Sequence, residues 1–355
     1  MSKKDIFQKI LKKPASVSVE EVARVLEDDD LNEPLFEIAN EVRNLYLGKD
    51  VYLRGIIEFS NYCRNDCLYC GIRSSNSKVS RYRMSVDEIL NTAKFIAENG
   101  CGTVVLQSGE DPFYNDEMIA EIVHRIKKLD VAVTLSIGER SFKEYKTWRE
   151  AGADRYLMRH ETADEELYKQ VHPADDFNIR KRHLEMLKQL DYEVGTGCIV
   201  GLPHQDDLSL AKDILFTYEF DSDMVGIGPF IPHPDTPLGK EKPGSLMKTL
   251  KVIALTRLFL PDSNIPATTA LGTIDPRGRR LALNCGANVI MPNFTPVSYR
   301  PRFTLYPNKV CIFESDAQCG DFRDSIRDLI ETAGYKAVES QGFRRRVHEN
   351  NSRRI

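Results

Sequence analysis

Residues 58 to 76 read EFSNYCRNDCLYCGIRSSN and place Cys63, Cys67 and Cys70 in a C-x3-C-x2-C array directly after an apolar, strand-like run. Three thiolates in one short loop are the soft ligands that an iron-sulfur cluster takes. A closed structural zinc site wants four ligands, so three favour a four-iron cluster whose remaining iron is open to a ligand that is not protein. The alternatives are a zinc site completed by a distant cysteine or histidine, and three cysteines close together by chance.

The composition is that of a globular enzyme. With 355 residues, 41% hydrophobic and 29% charged, the chain can bury a large core and form a barrel-sized domain. A net charge of -4, from 49 basic and 53 acidic residues, gives no field that would recruit nucleic acid or an anionic membrane. No apolar run approaches membrane-spanning length, and the N-terminal residues lack the apolar segment of a signal peptide. Because a tight thiolate trio also suits a reducing compartment, we expect a cytoplasmic protein.

From residue 51 the sequence alternates short β-branched runs with amphipathic stretches, which is the pattern of βα units on a parallel sheet. Eight strands close a TIM barrel, so the pattern predicts a complete (βα)8 barrel. The cysteine loop follows the first run, which places it at the C-terminal ends of the strands, where barrel enzymes have their active sites. The eight runs are residues 51–59, 103–108, 131–137, 155–161, 192–200, 223–230, 265–270 and 287–292.

The predicted organisation has three parts. Residues 1–50 form a helical cap over one barrel end, residues 51–307 form the barrel, and residues 308–355 form a C-terminal extension packed on it. Helix starts are predicted where serine or threonine is followed three residues later by glutamate, as in a capping box. The pairs are Ser18 with Glu21, Ser85 with Glu88, and Thr162 with Glu165.

Polar residues share faces of otherwise apolar strands. If these faces met the helix layer, an unpaired arginine would cost roughly several kcal/mol. We therefore expect them to face inward, where two arginines would form one pocket for an anionic substrate group. Thr268 and Thr269, at the end of the seventh run, would add hydroxyl donors or serve as ordinary strand residues. The face-sharing pairs are Arg54 with Glu58, Thr134 with Ser136, and Arg159 with Glu161.

The cysteine array, with Tyr69 before the third cysteine, resembles the signature of radical S-adenosylmethionine (SAM) enzymes. Longer strings, including RGIIEFSNYCRNDCLYCG, AGADRYLMRHETA and DMVGIGPFIPHPDTPL, resemble the HydE family, the radical-SAM maturases of FeFe-hydrogenase. This resemblance extends over nearly the whole chain. It separates the sequence from the wider biotin-synthase-like group, with which it shares the cysteine array.

The resemblance implies that SAM binds the open iron of a 4Fe-4S cluster and is cleaved by one electron to methionine and a 5'-deoxyadenosyl radical. The radical would act on a sulfur-containing, iron-bound, cysteine-derived substrate with an anionic carboxylate during assembly of the diiron subcluster. The implied partners are an electron donor such as a ferredoxin or flavodoxin, and the other hydrogenase maturases. The alternatives are a related biotin-synthase-like or methylornithine-synthase-like enzyme, and a non-catalytic cluster scaffold.

The resemblance also implies a role for each matched position. Without it, Arg180 would be expected on a solvated helix face. The implied SAM contacts are Gln107, Ser108 and Gly109 at the methionine amino group, Ser136, Glu161 at the ribose, Arg180 at the carboxylate, and Ile199 and Gly201 at the adenine. The implied substrate cavity comprises Arg54, Thr134, Arg159, Thr268, Thr269 and Tyr306.

The cysteines outside the array carry weaker signals. Many members of the family have a second cluster on a C-terminal C-x7-C-x2-C array, but here Cys311 and Cys319 are followed by Phe322 in the third position. Two thiolates cannot complete a shell that wants three or four. We therefore expect no stable auxiliary Fe-S cluster, or a partial and labile one. Cys101, Cys198 and Cys285 are isolated in apolar segments and are expected to be buried structural residues.

Overall fold

A computed structural model describes residues 5–309 and 319–346, except for the side chains of residues 319–324. Cys311 lies outside the described residues, and of Cys319 and Phe322 only the helical backbone is described. The expectation about an auxiliary cluster therefore stays a prediction.

Nine of the ten described strands overlap the predicted runs, several of them shorter than predicted, and the tenth, Lys336–Val338, lies in no predicted run. The first two runs match almost residue for residue, whereas the fifth and sixth runs each divide into two short strands. The strands are β1 (Asp50–Ser60), β2 (Thr103–Ser108), β3 (Ala132–Ser136), β4 (Arg155–Leu157), β5 (Glu193–Thr196), β6 (Ile199–Val200), β7 (Met224–Val225), β8 (Gly228–Pro229), β9 (Val289–Ile290) and β10 (Lys336–Val338).

The main sheet is parallel and curled. Its order is β10-β1-β2-β3-β4-β5-β7, with β9 also paired to β1, and β6 and β8 form a separate parallel pair. Arg54 of β1 donates to the sulfur of Met224 of β7 at 2.8 Å, and Arg155 of β4 donates to Thr103 of β2 at 3.2 Å. Neither pair of strands is adjacent, so these side chains meet across a concave interior. The predicted parallel sheet of βα units is confirmed.

The predicted seventh strand, residues 265–270, does not form. Asn264 makes an isolated parallel bridge to Met224 of β7, and Pro266 makes one to Val289 of β9. Pro266 has no N–H to donate to a ladder. Thr268 is already the N-cap of a helix that begins at Thr269, so neither threonine ends a strand as predicted.

The helices cover the outside of the sheet. No helix in the described ranges is long and apolar enough to cross a membrane. The helices are α1 (Asp5–Lys12), α2 (Val19–Glu27), α3 (Asn32–Leu47), α4 (Val86–Glu98), α5 (Asp116–Lys127), α6 (Phe142–Glu150), α7 (Glu165–Val171), α8 (Phe177–Gln189), α9 (Asp207–Glu219), α10 (Leu246–Phe259), α11 (Thr269–Ile274), α12 (Gly278–Asn284) and α13 (Cys319–Thr332), with short 3-10 turns at Pro14–Ser16, Asp29–Leu31 and Arg300–Arg302.

The core lies between the sheet and these helices. Successive strand residues point to opposite faces, so the residues of β2 and β3 that face away from the interior meet α4 and α5. These are Val104, Leu106, Val133 and Leu135, and all four are fully buried. Each contributes about 1.5–3 kcal/mol by leaving water.

Two of the three predicted capping boxes are confirmed. Ser18 with Glu21 starts α2, and Ser85 with Glu88 starts α4, each with both reciprocal hydrogen bonds. The third prediction is wrong. Asp164 caps α7 instead, because its carboxylate accepts from the N–H of Leu167, while Thr162 accepts from the N–H of Asp164 at 3.2 Å.

The N-terminal helices pack on the outer helical layer, α2 against α9 and α3 against α10. The cap over one barrel end stays a prediction. Lys251 of α10 has a side chain only 1% exposed, and it donates to the carbonyl of Leu26 at 2.8 Å and pairs with Asp29 at 2.9 Å. A buried lysine needs such partners, so the contact ties the N-terminal helices to the side of the fold.

The C-terminal segment closes the interior at the N-terminal ends of the strands. Strand β10 pairs with Asp50–Tyr52 of β1. The carbonyl of Gln341 accepts from Arg155 at 2.8 Å and from Thr103 at 3.0 Å. Arg344 pairs with Asp262 at 2.7 Å. The interior is therefore covered at the end opposite the cysteine loop.

Candidate functional site

The cysteine loop follows β1 and is held by the protein's own hydrogen bonds. Arg81 donates to the carbonyls of Ile72 at 2.7 Å and Arg73 at 2.6 Å. Asp66 accepts from Arg73 Nε at 2.8 Å and from the N–H of Ser75 at 3.1 Å. These contacts fix the backbone that carries the three cysteines.

The three thiols are close enough to affect one another. Burial raises the pKa of Cys67, and it raises the pKa of Cys70 to about 12, with further increases from the neighbouring cysteines. Burial also raises the pKa of Cys63. A bound metal replaces the thiol proton and stabilises the thiolate, so these shifts describe the metal-free loop. The trio therefore fits a bound metal cluster.

Within residues 5–309 and the described side chains of the C-terminal part, no group of three His, Cys, Asp or Glu side chains converges as the ligands of a single metal ion would. A four-iron cluster needs no such convergence, because its separate irons each take their own thiolate.

The end of β2 lies against the cysteine loop. Gln107 is in register with Ser136 at the end of β3, and Gly109 donates its N–H to the carbonyl of Ser60 at 3.1 Å. A Cβ on Gly109 would lie 2.2 Å from the carbonyl oxygen of Tyr62 and 2.7 Å from Cys63 Cβ. Only glycine permits this approach. Gly109 thus lies beside the first cysteine of the trio, and the other predicted SAM contacts, Gln107, Ser108 and Ser136, lie at the ends of β2 and β3.

Glu161 is held in an uncommon conformation, and its Oε2 makes an ion pair but no hydrogen bond. Its φ of 65° lies in the left-handed region, which costs a non-glycine residue energy. Its N–H donates to Gly197 at 3.0 Å, and its carbonyl accepts from Ile199 at 2.9 Å. Glu161 is 8% exposed, and Oε2 has no hydrogen bond, although Arg159 Nη2 lies 3.2 Å away. A buried acceptor of this kind fits a ligand hydroxyl.

Arg180 is buried and does not lie on a solvated helix face, so the expectation from residue type alone is wrong. Its Nε donates to Glu139 at 2.6 Å, Nη2 to Asp175 at 3.2 Å, and Nη1 to the carbonyl of Arg159 at 2.9 Å. These bonds use three of the five guanidinium N–H groups. Further donors on Nη1 and Nη2 are left for a ligand.

The segment around Ile199 and Gly201 is shaped by close backbone contacts. Gly201 has a φ of 91°, and a Cβ there would lie 2.4 Å from Gly244 Cα. The side chain of Gln205 accepts from the N–H of Gly201 at 2.6 Å and donates to the carbonyl of Ile199 at 2.9 Å. Sequence reasoning missed Gln205, because no spacing rule marks a glutamine that acts on a turn.

Arg159 and Tyr306 lie at the same end of the sheet as the cysteines. Burial acts to lower the pKa of Arg159, but the charge of Glu161 and the nearby Tyr69 and Tyr306 outweigh it, so the pKa is raised. The guanidinium therefore stays charged. The side chain of Arg159 is 32% exposed, which leaves room for a further anionic partner.

The predicted threonines of the cavity are distributed along its wall. Thr134 of β3 is fully buried, and its Oγ1 has no hydrogen-bond partner. Thr268 and Thr269 are half-buried at the start of α11, and Thr268 donates to the carbonyl of Ile227 at 3.2 Å.

The prediction that Arg54 and Arg159 share one pocket is wrong. Arg54 does face inward, but it donates to the carbonyl of Gly342 at 3.0 Å, and burial together with the charge of Arg155 lowers its pKa. These neighbours belong to the covered N-terminal end of the interior. Arg159 is instead bonded to Arg180 and paired with Glu161 at the opposite end. The alternation of side chains along a strand predicted correctly that Arg54 faces the interior. It does not show how near a side chain lies to either end of the strands.

Two buried histidines support the site and were not predicted as part of it. The hydroxyl of Tyr69 lies 2.9 Å from His172 Nε2, and burial with the charge of Arg180 lowers the pKa of His172 to about 4. His160 is fully buried beside Asp213, at 3.4 Å. A single histidine in an apolar segment gives no spacing signal that would reveal either contact.

Family comparison gives two matches along the chain. A model of the Radical SAM superfamily matches residues 57–216, and a model of the Biotin and Thiamin Synthesis associated domain matches residues 227–314. The first match contains the cysteine loop and the predicted SAM contacts.

Relatives of known name cover most of the chain. It is 51% identical to the FeFe-hydrogenase maturase subunit HydE of Thermotoga maritima over 98% of this chain and 99% of that protein. It is 34% identical to the 3-methylornithine synthase of Methanosarcina acetivorans over 75% of each protein. The crystal structure of methylornithine synthase (PylB) superposes with a TM-score of 0.79 at 28% identity, covering 94% of this chain and 97% of that one.

Proposed function

The chain belongs to the HydE family of radical SAM enzymes, and on that premise we propose that it acts in the maturation of FeFe-hydrogenase. One observation carries the proposal: the three cysteines, the Gly109 backbone and the unbonded Oε2 of Glu161 lie together at one end of the sheet. The 51% identity to the Thermotoga maritima maturase favours this reaction over those of other radical SAM enzymes.

We propose that Cys63, Cys67 and Cys70 bind a 4Fe-4S cluster. Their spacing within one loop supports this assignment, as do the pKa values of Cys67 and Cys70, which burial and the charge of neighbouring thiols raise. When bound, such a cluster supplies the electron that cleaves SAM to methionine and a 5'-deoxyadenosyl radical. The protein's own part is to hold SAM in one orientation and to exclude competing reactants.

In the proposed SAM site, different polar groups bind different parts of the SAM molecule. The unbonded Oε2 of Glu161 accepts a ribose hydroxyl, and the unused donors of Arg180 bind the methionine carboxylate. The backbone at Gly201, fixed by Gln205, borders the adenine beside Ile199. Gln107, Ser108, Gly109 and Ser136 meet the methionine amino group and its surroundings.

We propose that the substrate is an iron-bound, cysteine-derived molecule whose carboxylate binds Arg159. The raised pKa of Arg159 keeps it charged, and its partial exposure leaves access for the ligand. Thr134, Thr268, Thr269 and Tyr306 supply neutral donors. Arg54 lies too far towards the covered end to share this carboxylate, and we assign it to holding the C-terminal segment.

Membership of the HydE family also supports proposals about the barrel, the domain boundaries and the protein partners. The bridges of Asn264 and Pro266 support closure of the sheet into a complete (βα)8 barrel. We keep the division at residues 50 and 307 as a working domain boundary. A ferredoxin or flavodoxin as electron donor, the other maturases as partners and a cytoplasmic location are parts of the same proposal.

A second candidate is a methylornithine-synthase-like reaction, favoured by the TM-score of 0.79 to that enzyme's crystal structure. Both candidates are tested by incubating the reconstituted protein with reductant and SAM in two arms. One arm contains an iron-cysteine complex and then receives apo-hydrogenase and the other maturases, and the other arm contains lysine, which is an isomer of 3-methylornithine. We expect hydrogenase activity that depends on this protein. Formation of 3-methylornithine without hydrogenase activation would contradict the maturase assignment.

The Arg159→Leu variant should retain cluster iron and SAM cleavage but lose most of the conversion of the iron-cysteine complex. Arg159 is partly exposed, so removing the charge that pairs with the ligand carboxylate should cost about 2 kcal/mol of binding, the low end for such pairs. The measurement is the ratio of processed complex to 5'-deoxyadenosine. Arg140→Leu also removes an arginine and serves as the control, because that buried side chain donates to the Asp111 carbonyl away from Glu161. An unchanged ratio in Arg159→Leu would show that the carboxylate binds elsewhere.

A further inference from the structure

An exposed stack of three side chains lies at the rim of the cysteine loop. The guanidinium carbon of Arg83 is 3.8 Å from the centroid of the Tyr62 ring and 4.5 Å from that of Phe113. Tyr62 is 37% exposed and Phe113 is 53% exposed. Two large aromatic side chains that stay exposed to water beside a guanidinium form an uncommon feature of a folded protein surface.

The stack is joined directly to the proposed cluster site. Tyr62 immediately precedes Cys63, and its carbonyl is in close contact with Gly109. Arg83 forms an isolated bridge with Ser60 at the end of β1. A molecule that binds on the Tyr62 ring therefore contacts the residue next to the first cysteine.

On this surface the carboxylates are buried and the guanidinium groups are more exposed. Arg83 pairs with Asp111 at 2.7 Å, and Arg64 pairs with Glu110 at 2.8 Å. The carboxylate side chains are 0% and 5% exposed, whereas those of Arg83 and Arg64 are 32% and 56% exposed. The acidic partners are covered and the cationic groups face outward, so each ion pair presents its guanidinium end to an approaching molecule.

Exposed tyrosine and arginine around an apolar centre are the residues that most often carry the energy of protein interfaces. The outward-facing guanidinium groups select a partner with an acidic surface and steer its approach.

We propose that the stack of Tyr62, Arg83 and Phe113, with Arg64 at its rim, is the docking surface for the protein that reduces the cluster. This proposal rests on the proposed function. The partner is a small one-electron carrier with an acidic surface. One electron passes from the carrier to the cluster, so the carrier is oxidised by one electron, the cluster is reduced by one, and no bond is made or broken.

The first test measures binding of a ferredoxin of net negative charge to the reconstituted enzyme by calorimetry. Phe113→Ser, which keeps the Arg83–Asp111 pair, and Arg83→Gln should each weaken binding about tenfold. Binding to the wild type should also weaken as salt rises from 0.05 to about 0.5 M, because the rim charges are then screened. Leu45→Ser is the control, since Leu45 is 54% exposed on α3 near the opposite end of β1. Equal affinity of Phe113→Ser and wild type would overturn the proposal.

The second test compares reductants and separates this proposal from the proposed function. With dithionite, Phe113→Ser should cleave SAM at the wild-type rate, whereas with reduced ferredoxin its rate should fall about tenfold. Equal losses with both reductants would mean that the stack supports the loop and not the carrier. Normal ferredoxin-driven cleavage with failed hydrogenase maturation would mean that the surface receives another maturase. Either result would overturn the proposal and leave the radical SAM assignment intact.

Discussion

Replacing Cys63, Cys67 or Cys70 with alanine should abolish SAM cleavage. The three thiols are the ligands that the loop presents. A cluster that has lost one of its three protein ligands cannot stay bound to the protein. We expect the wild type to bind about four irons per chain after anaerobic reconstitution. The variants should lose most of this iron and the electron paramagnetic resonance signal of the reduced cluster.

Cys285→Ala is the matched control for this prediction. Cys285 is 4% exposed, and burial raises the pKa of its thiol to about 12, as it does for Cys70. It lies between α12 and β9, away from the loop. Its loss should cost only about 1 kcal/mol of stability through a small cavity and should leave the iron content unchanged. A full four-iron signal in any variant of the trio would contradict the assignment of the cluster ligands.

The Arg180→Ala variant should lose stability as well as SAM affinity. Arg180 lies between Glu139 and Asp175, whose side chains are 13% and 21% exposed. Removing the cation takes away the arginine partner of two largely buried carboxylates, although Asp175 still accepts from Tyr168 at 2.6 Å, so we expect a loss of about 3 kcal/mol in the free energy of unfolding. Urea denaturation measures this loss, and calorimetry with SAM measures the lost carboxylate contact.

Arg182→Ala provides the control on the same helix. Arg182 is exposed two residues further along α8, so its removal should change the free energy of unfolding by less than about 0.5 kcal/mol. Arg180→Lys separates the two roles of Arg180, because lysine restores a charge between the carboxylates but not the fork of donors. Recovery of stability without recovery of SAM affinity supports the proposed contact. An Arg180→Ala variant as stable as Arg182→Ala would refute the buried ion network.

Features governed by local chemistry were predictable from the sequence. The capping boxes of Ser18 and Ser85 form as expected, since each involves only four consecutive residues. Strands β1 and β2 match their predicted runs because apolar alternation is a local signal. The third capping box shows the limit of this reasoning: Asp164, a residue within the same window, competes successfully with Thr162 for the cap of α7.

The sequence by itself determined the cysteine array, the parallel βα pattern and the inward face of Arg54, since spacing and parity are properties of consecutive residues. The tertiary structure alone decided how deep each inward side chain lies. Arg54 does not share the environment of Arg159, because the C-terminal segment covers Arg54. The Gly342 carbonyl that accepts from Arg54 is 288 residues away in sequence. The tertiary structure likewise buried Arg180 against Glu139, 41 residues away. Contacts of this range depend on how the curled sheet brings strand ends together, and no local pattern encodes that distance.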